Sequence, residues 1–100
     1  MRIKRTYGDE SPVRVTFTPT ASVDLTNVDS IALRVYDSKN IETATLLTTL
    51  TGERRGFDPA TYFPIANGDG DWSGTRYYTI VLVRGVLESP LPEVSEWVQA

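Results

Sequence analysis

The chain of 100 residues has no cysteine and no histidine. Without cysteine it has no disulfide, no thiolate nucleophile and no cysteine-held zinc. Without histidine it lacks the commonest general base and the commonest metal ligand. No stretch of about 18 apolar residues occurs, so no segment is predicted to cross a membrane as a helix. The opening Met1-Arg2-Ile3-Lys4-Arg5-Thr6-Tyr7 carries basic residues with no apolar run behind them. That is unlike a secretory signal and predicts cytoplasmic synthesis. An excess of basic charge is also missing: ten Lys and Arg face thirteen Asp and Glu, a net charge of −3. This balance argues against nucleic acid or an anionic membrane as partner. No glycine-rich phosphate loop, Gly-x-Ser-x-Gly or metalloprotease pair is present.

What remains is globular in composition, 40% hydrophobic and 23% charged, and short enough to predict one domain over 1–100. Valine, isoleucine and threonine total 28 residues against 14 for alanine and leucine. β-Branched side chains suit a pleated surface better than a helix. Strict alternation follows. Val13, Val15 and Phe17 interleave with Arg14, Thr16 and Thr18, and Ile31, Leu33 and Val35 with Ala32, Arg34 and Tyr36. Asp37-Ser38-Lys39-Asn40 reads as a turn. Ala44, Leu46 and Leu50 share one parity of a threonine-rich strand closed by Gly52.

Residues 75–84 form the strongest strand, with Tyr78, Ile80 and Leu82 on one face and Tyr77, Val81 and Val83 on the other. Apolar residues on both sides predict a central strand covered twice. Arg84-Gly85 predicts a tight turn into Val86-Leu87-Glu88, and Ser89-Pro90-Leu91-Pro92 breaks regular pairing. A last short strand spans 94–98, and an opening one spans 2–7. The stretch 86–100 thus serves as a C-terminal arm or strand, its prolines holding 86–92 extended and unpaired.

Between Gly52 and Gly74 lies a long loop, a feature usually functional or internally structured. Asp58-Pro59 is a good helix start, predicting a short helical turn over 59–63. About seven strands with regular turns imply an all-β fold, an immunoglobulin-like β-sandwich. Its predicted core is Val13, Val15, Phe17, Ile31, Leu33, Val35, Leu46, Leu50, Tyr78, Ile80 and Leu82.

Candidate sites are few. Asn67, Asp69 and Asp71 stand at alternate positions, as oxygen ligands do at the start of a calcium loop. The sixth position is Trp72 and the twelfth Tyr78, where such a loop needs glycine and glutamate. A glycine-rich turn is the better reading, so no metal and no cofactor is expected. Arg54 and Arg55, flanked by glycines, could grip a partner's carboxylates or form a bare loop tip. Phe57, Tyr62, Phe63 and Trp72, with Trp97 further on, could make a docking or sugar-stacking surface or plug the core. The same loop could cover Tyr77, Val81 and Val83, which would otherwise form an exposed patch. The acid pairs Asp9 and Glu10, Asp69 and Asp71, and Glu93 and Glu96 sit in no catalytic motif. The expectation is a protein that is not an enzyme.

The order of pieces carries a resemblance. Tyr7-Gly8-Asp9-Glu10 precedes the strand Val13-Arg14-Val15-Thr16-Phe17, followed by Val23-Asp24-Leu25-Thr26-Asn27 and Ile31-Ala32-Leu33-Arg34-Val35. A threonine-rich strand, a proline-containing segment, Tyr77-Tyr78-Thr79-Ile80-Val81-Leu82 and Ser95-Glu96-Trp97-Val98 complete it. In this order the chain resembles the small immunoglobulin-like modules of tailed-bacteriophage virions, notably the N-terminal domain of upper baseplate proteins. It departs from them in having Tyr7 where arginine is frequent and in carrying no extension past Ala100. The second departure leaves room for an accessory protein of capsid, neck or tail. The resemblance implies a structural protein of the virion, made in the host cytoplasm. It would dock onto other virion proteins and form a homo-oligomer within the assembly. A carbohydrate- or cell-surface-binding module is the alternative.

Overall fold

The computed structural model describes residues 2–16, 28–54, 60–91 and 93–100, the side chain of Arg54 excepted. Phe17, Thr18, residues 23–27, Arg55, Phe57, Asp58, Pro59 and Pro92, all singled out above, lie outside them. Nine strands and no helix occur among the described residues. These are β1 (Ile3–Arg5), β2 (Val13–Thr16), β3 (Ser30–Tyr36), β4 (Leu46–Thr51), β5 (Glu53–Arg54), β6 (Ala60–Phe63), β7 (Gly74–Arg84), β8 (Leu87–Pro90) and β9 (Ser95–Gln99). One sheet runs β1-β9-β7-β3-β4, with β8 also on β7, and the other runs β2-β6-β5. β1 lies parallel to β9, and every other pairing is antiparallel.

Alternation places the core. Val13, Val15 and Phe63 of the smaller sheet meet Ile3, Ile31, Leu33, Val35, Leu50, Tyr78, Ile80, Leu82 and Trp97 of the larger in one buried cluster. Each such large side chain contributes roughly 1.5–3 kcal/mol by leaving water. The two sheets therefore face each other across a shared apolar layer, in a sandwich-like all-β arrangement.

The helical turn expected over 59–63 is replaced, across 60–63, by β6. It pairs with β2 on one side and β5 on the other. The helix-start signal of Asp58-Pro59 is local, whereas Thr61 and Phe63 alternate with Tyr62 and bury inward. Strand pairing on two sides outweighs one cap. The long loop of 52–74 thus contains two strands.

Leu46, expected in the core, is 48% exposed. Its register explains this. Leu33 faces Leu50 and Val35 faces Thr48, but Tyr36 faces Leu46, so Leu47 is an extra residue in a β-bulge. One inserted residue reverses parity, and Leu46 turns outward with Tyr36.

Of the two readings of 86–100, the strand holds and the extended, unpaired arm does not. β8 pairs with β7 as a hairpin as far as Pro90, a proline tolerated on an edge strand. β9 lies between β1 and β7, with Trp97 and Gln99 buried. The outer face of β7 is not covered by the 60–63 segment, which belongs to the other sheet. Arg34 stands opposite Thr79 and Glu88 opposite Val83. Their ion pair, 2.6 Å long, therefore crosses β7 above Val81, whose side chain is buried.

Candidate functional site

Two neighbourhoods concentrate polar and aromatic side chains, and a third is apolar. The first closes the end of the sandwich beside β1. Arg5 shares the inward parity of Ile3, and its side chain is only 8% exposed. Its Nη2 lies 2.8 Å from Asp9 Oδ1 and its Nε donates to Asp9 Oδ2 at 3.2 Å. Nη2 also donates to the carbonyl and, at 2.6 Å, to the Oγ of Ser11. Asp9 Oδ1 accepts from the Ser11 N–H at 3.0 Å and its Oγ at 2.6 Å. The hydrogen bonds from Arg5, then those from Ser11, hold the Asp9 carboxyl well below the usual carboxylate range. A group so firmly ionised neither gives nor takes a proton near neutrality. Beside it, Arg2, Lys4 and Arg14 line an open cleft of roughly 310 Å³.

The second neighbourhood staples the turn at 66–72 to β9. Trp97 Nε1 donates to Gln99 Oε1 at 3.0 Å, and Gln99 Nε2 donates to the carbonyls of Gly70 at 3.0 Å and Trp72 at 2.8 Å. The Trp72 and Trp97 rings meet edge to face, 5.8 Å apart. The Arg76 guanidinium stands 4.2 Å above the Trp72 ring, a cation–π contact. Gly70 accepts from the Gly8 N–H at 2.7 Å, and a Cβ there would lie 2.7 Å from the Asp9 carbonyl. Only glycine permits that approach.

Asn67, Asp69 and Asp71 sit exposed in this turn. Its backbone is closed by Asp69 N–H to Ala66 O at 3.0 Å and Asp71 N–H to Gly68 O at 3.1 Å. Among the described residues no three Asp or Glu gather as metal ligands would. Phe63 and Trp97 lie in the core, and Trp72 is half-buried against it. Tyr62 faces away from the core on β6, opposite Arg14 and Glu53. Arg54 falls on β5. The described aromatic candidates are thus divided between the interior, where Phe63 and Trp97 are buried and Trp72 packs against them, and the outer face of β6, where Tyr62 lies.

The third neighbourhood is apolar and open to solvent. Arg84 pairs with Leu87, leaving Gly85-Val86 as a two-residue hairpin loop. Gly85 has φ +60°, as the preferred hairpin turns require. The Asp29 carboxylate accepts from the Gly85 N–H, and the Asp29 N–H donates to Val83 O at 2.8 Å. The root of the hairpin is therefore tied down while its tip is bare: Val86 is 97% and Leu87 68% exposed. The sequence carries a signal for this, a valine where a turn normally places a polar residue. No protein-family model matches this sequence, and no curated protein matches it significantly.

Proposed function

We propose that this chain is a non-enzymatic assembly module of a tailed-phage virion that docks onto neighbouring virion proteins. The carrying observation is the β7–β8 hairpin, with Val86 and Leu87 held out in water on a root fixed by Asp29. Exposed apolar groups on a rigid element mark interaction sites. The strand order supports an immunoglobulin-like reading. β2-β6-β5 follows the B-E-D order of such domains, and β9-β7-β3-β4 follows their G-F-C-C′ order. That reading is the one the phage-module resemblance implies. The firmly ionised Asp9 gives no support to acid–base chemistry at that position. Nor does a sugar platform gain support, since Tyr62 faces outward on β6 while Trp72 packs edge-on against Trp97.

The test is the double substitution Val86→Asp and Leu87→Asp. Stability should change by no more than about 0.5 kcal/mol, as at other surface positions. Incorporation into purified particles, measured by quantitative mass spectrometry, should fall on the order of tenfold. Wild-type incorporation of the variant would overturn docking through the hairpin. Absence of the wild-type chain from particles would overturn the virion role itself.

A further inference from the structure

We propose that β4 pairs edge to edge with β4 of a second copy of this chain, joining the two larger sheets across a two-fold axis. β4 ends its sheet, and among the described residues nothing pairs with its outer side. The Gly52 N–H donates to Ile31 O at 2.7 Å, which sets the phase of the antiparallel ladder. With Leu33 opposite Leu50 and Val35 opposite Thr48, residues 48 and 50 aim their backbone groups at β3. Thr49 and Thr51 therefore aim their N–H and C=O groups outward.

Natural edges are normally blunted by brevity, charge, proline or a bulge. The other edges are. β5 has two residues, β1 has three including Lys4 and Arg5, β2 follows Pro12 and carries Arg14, and β8 carries Glu88 and Pro90. β4 is six residues long, Leu-Leu-Thr-Thr-Leu-Thr, with no charge and no proline. Its bulge is confined to the Leu46–Leu47 end.

The absence of charge selects the occupant. An antiparallel two-fold pairing brings each residue near the axis close to its own copy, so a charge there would meet its like. β4 has none to repel. Leu46 and Leu47, 48% and 42% exposed, supply apolar surface beside the edge for the second copy to cover. This pairing is independent of the hairpin docking above, since β8 lies on β7, away from β4.

Thr49→Pro tests the pairing cleanly. It deletes an outward N–H and no hydrogen bond to β3, and proline is tolerated on an edge. Thr49→Lys is the second variant, placing like charges near the axis without restricting the backbone. Sedimentation velocity of the full chain, from about 1 µM to about 1 mM, covers the affinities a small interface would have. The wild type should become dimeric within this range. Its Thr49 and Thr51 amides should exchange more slowly as concentration rises. Both variants should stay monomeric with an unchanged far-ultraviolet spectrum. A wild type monomeric throughout, or a folded Thr49→Lys variant that dimerises as the wild type does, would overturn the proposal.

Discussion

Asp9 and Arg5 stand four residues apart on either side of the turn at Gly8, and a short salt bridge closes that turn onto the core. The hydrogen bonds that hold Asp9 ionised in the fold are absent from the unfolded chain, so its folded pKa is the lower one. A depressed carboxyl stabilises the fold fully above its ordinary value of about 4, and the contribution is lost as pH falls below that toward the folded value. Asp9→Asn should melt at lower temperature than wild type at about pH 7. The difference should shrink as pH drops below about 4, because the wild type loses there what the variant already lacks. Thermal unfolding followed by circular dichroism across pH 2–7, to order of magnitude the carboxylate window, checks it. Equal melting temperatures at neutral pH would remove the salt bridge from the account. The Gly8-Asp9 pair was visible as a motif, but its partner was not. The i, i+4 spacing of Arg5 and Asp9 is a helix signal, and here it closes a turn between strands.

On the scale of elements, β4 shows how one inserted residue decides what is core. Leu46 and Leu50 share sequence parity, and simple alternation buries both. The bulge at Leu47 sends Leu46 to the outer face and leaves Leu50 inside. Leu50→Ala should therefore cost about 2–5 kcal/mol, the usual loss for a buried leucine. Leu46→Ser should stay within about 0.5 kcal/mol of wild type. Urea denaturation of the two variants decides it, and a Leu46→Ser loss matching that of Leu50→Ala would mean that the bulge is absent. β6 makes a related point. Asp58-Pro59 is a sound helix start by local chemistry, but Ala60–Phe63 has a strand on either side to bond with, and nonlocal pairing prevails.

Taken as a whole, the molecule brings both of its ends to one side of its larger sheet, β1 at the edge and β9 beside it. β1 reaches that sheet only through β9, and β9 brings Trp97 and Gln99 into the interior. Tyr7 N–H bonds to Ala100 O and Ala100 N–H to Arg5 O, each at 3.0 Å, so the two ends of the described chain are laced together. Removing residues 93–100 should therefore abolish cooperative unfolding. It strands β1, empties the Trp97 site and unties the turn at Gly70. Losing a buried tryptophan alone costs about 3–5 kcal/mol, a large part of the 5–15 kcal/mol that holds a small domain folded. A truncated chain that still unfolds in one sharp transition would show that β9 is an appendage after all.

By itself the sequence determined the class of structure and most of its interior. Alternation at Val13 and Val15, at Ile31, Leu33 and Val35, and at Tyr78, Ile80 and Leu82 assigns each side chain to a face, because the pleat has a period of two wherever a strand is regular. The tertiary structure alone decided where that period fails, which strand lies beside which, and what stays open to water. A bulge, a strand over 60–63, β9 wedged between β1 and β7, and an ion pair laid over Val81 all depend on partners far away in the chain. Local sequence pattern records a residue's own preference, not the neighbour that will satisfy it. The surfaces from which function is inferred, the Val86–Leu87 tip and the uncharged edge of β4, exist only once those neighbours are in place.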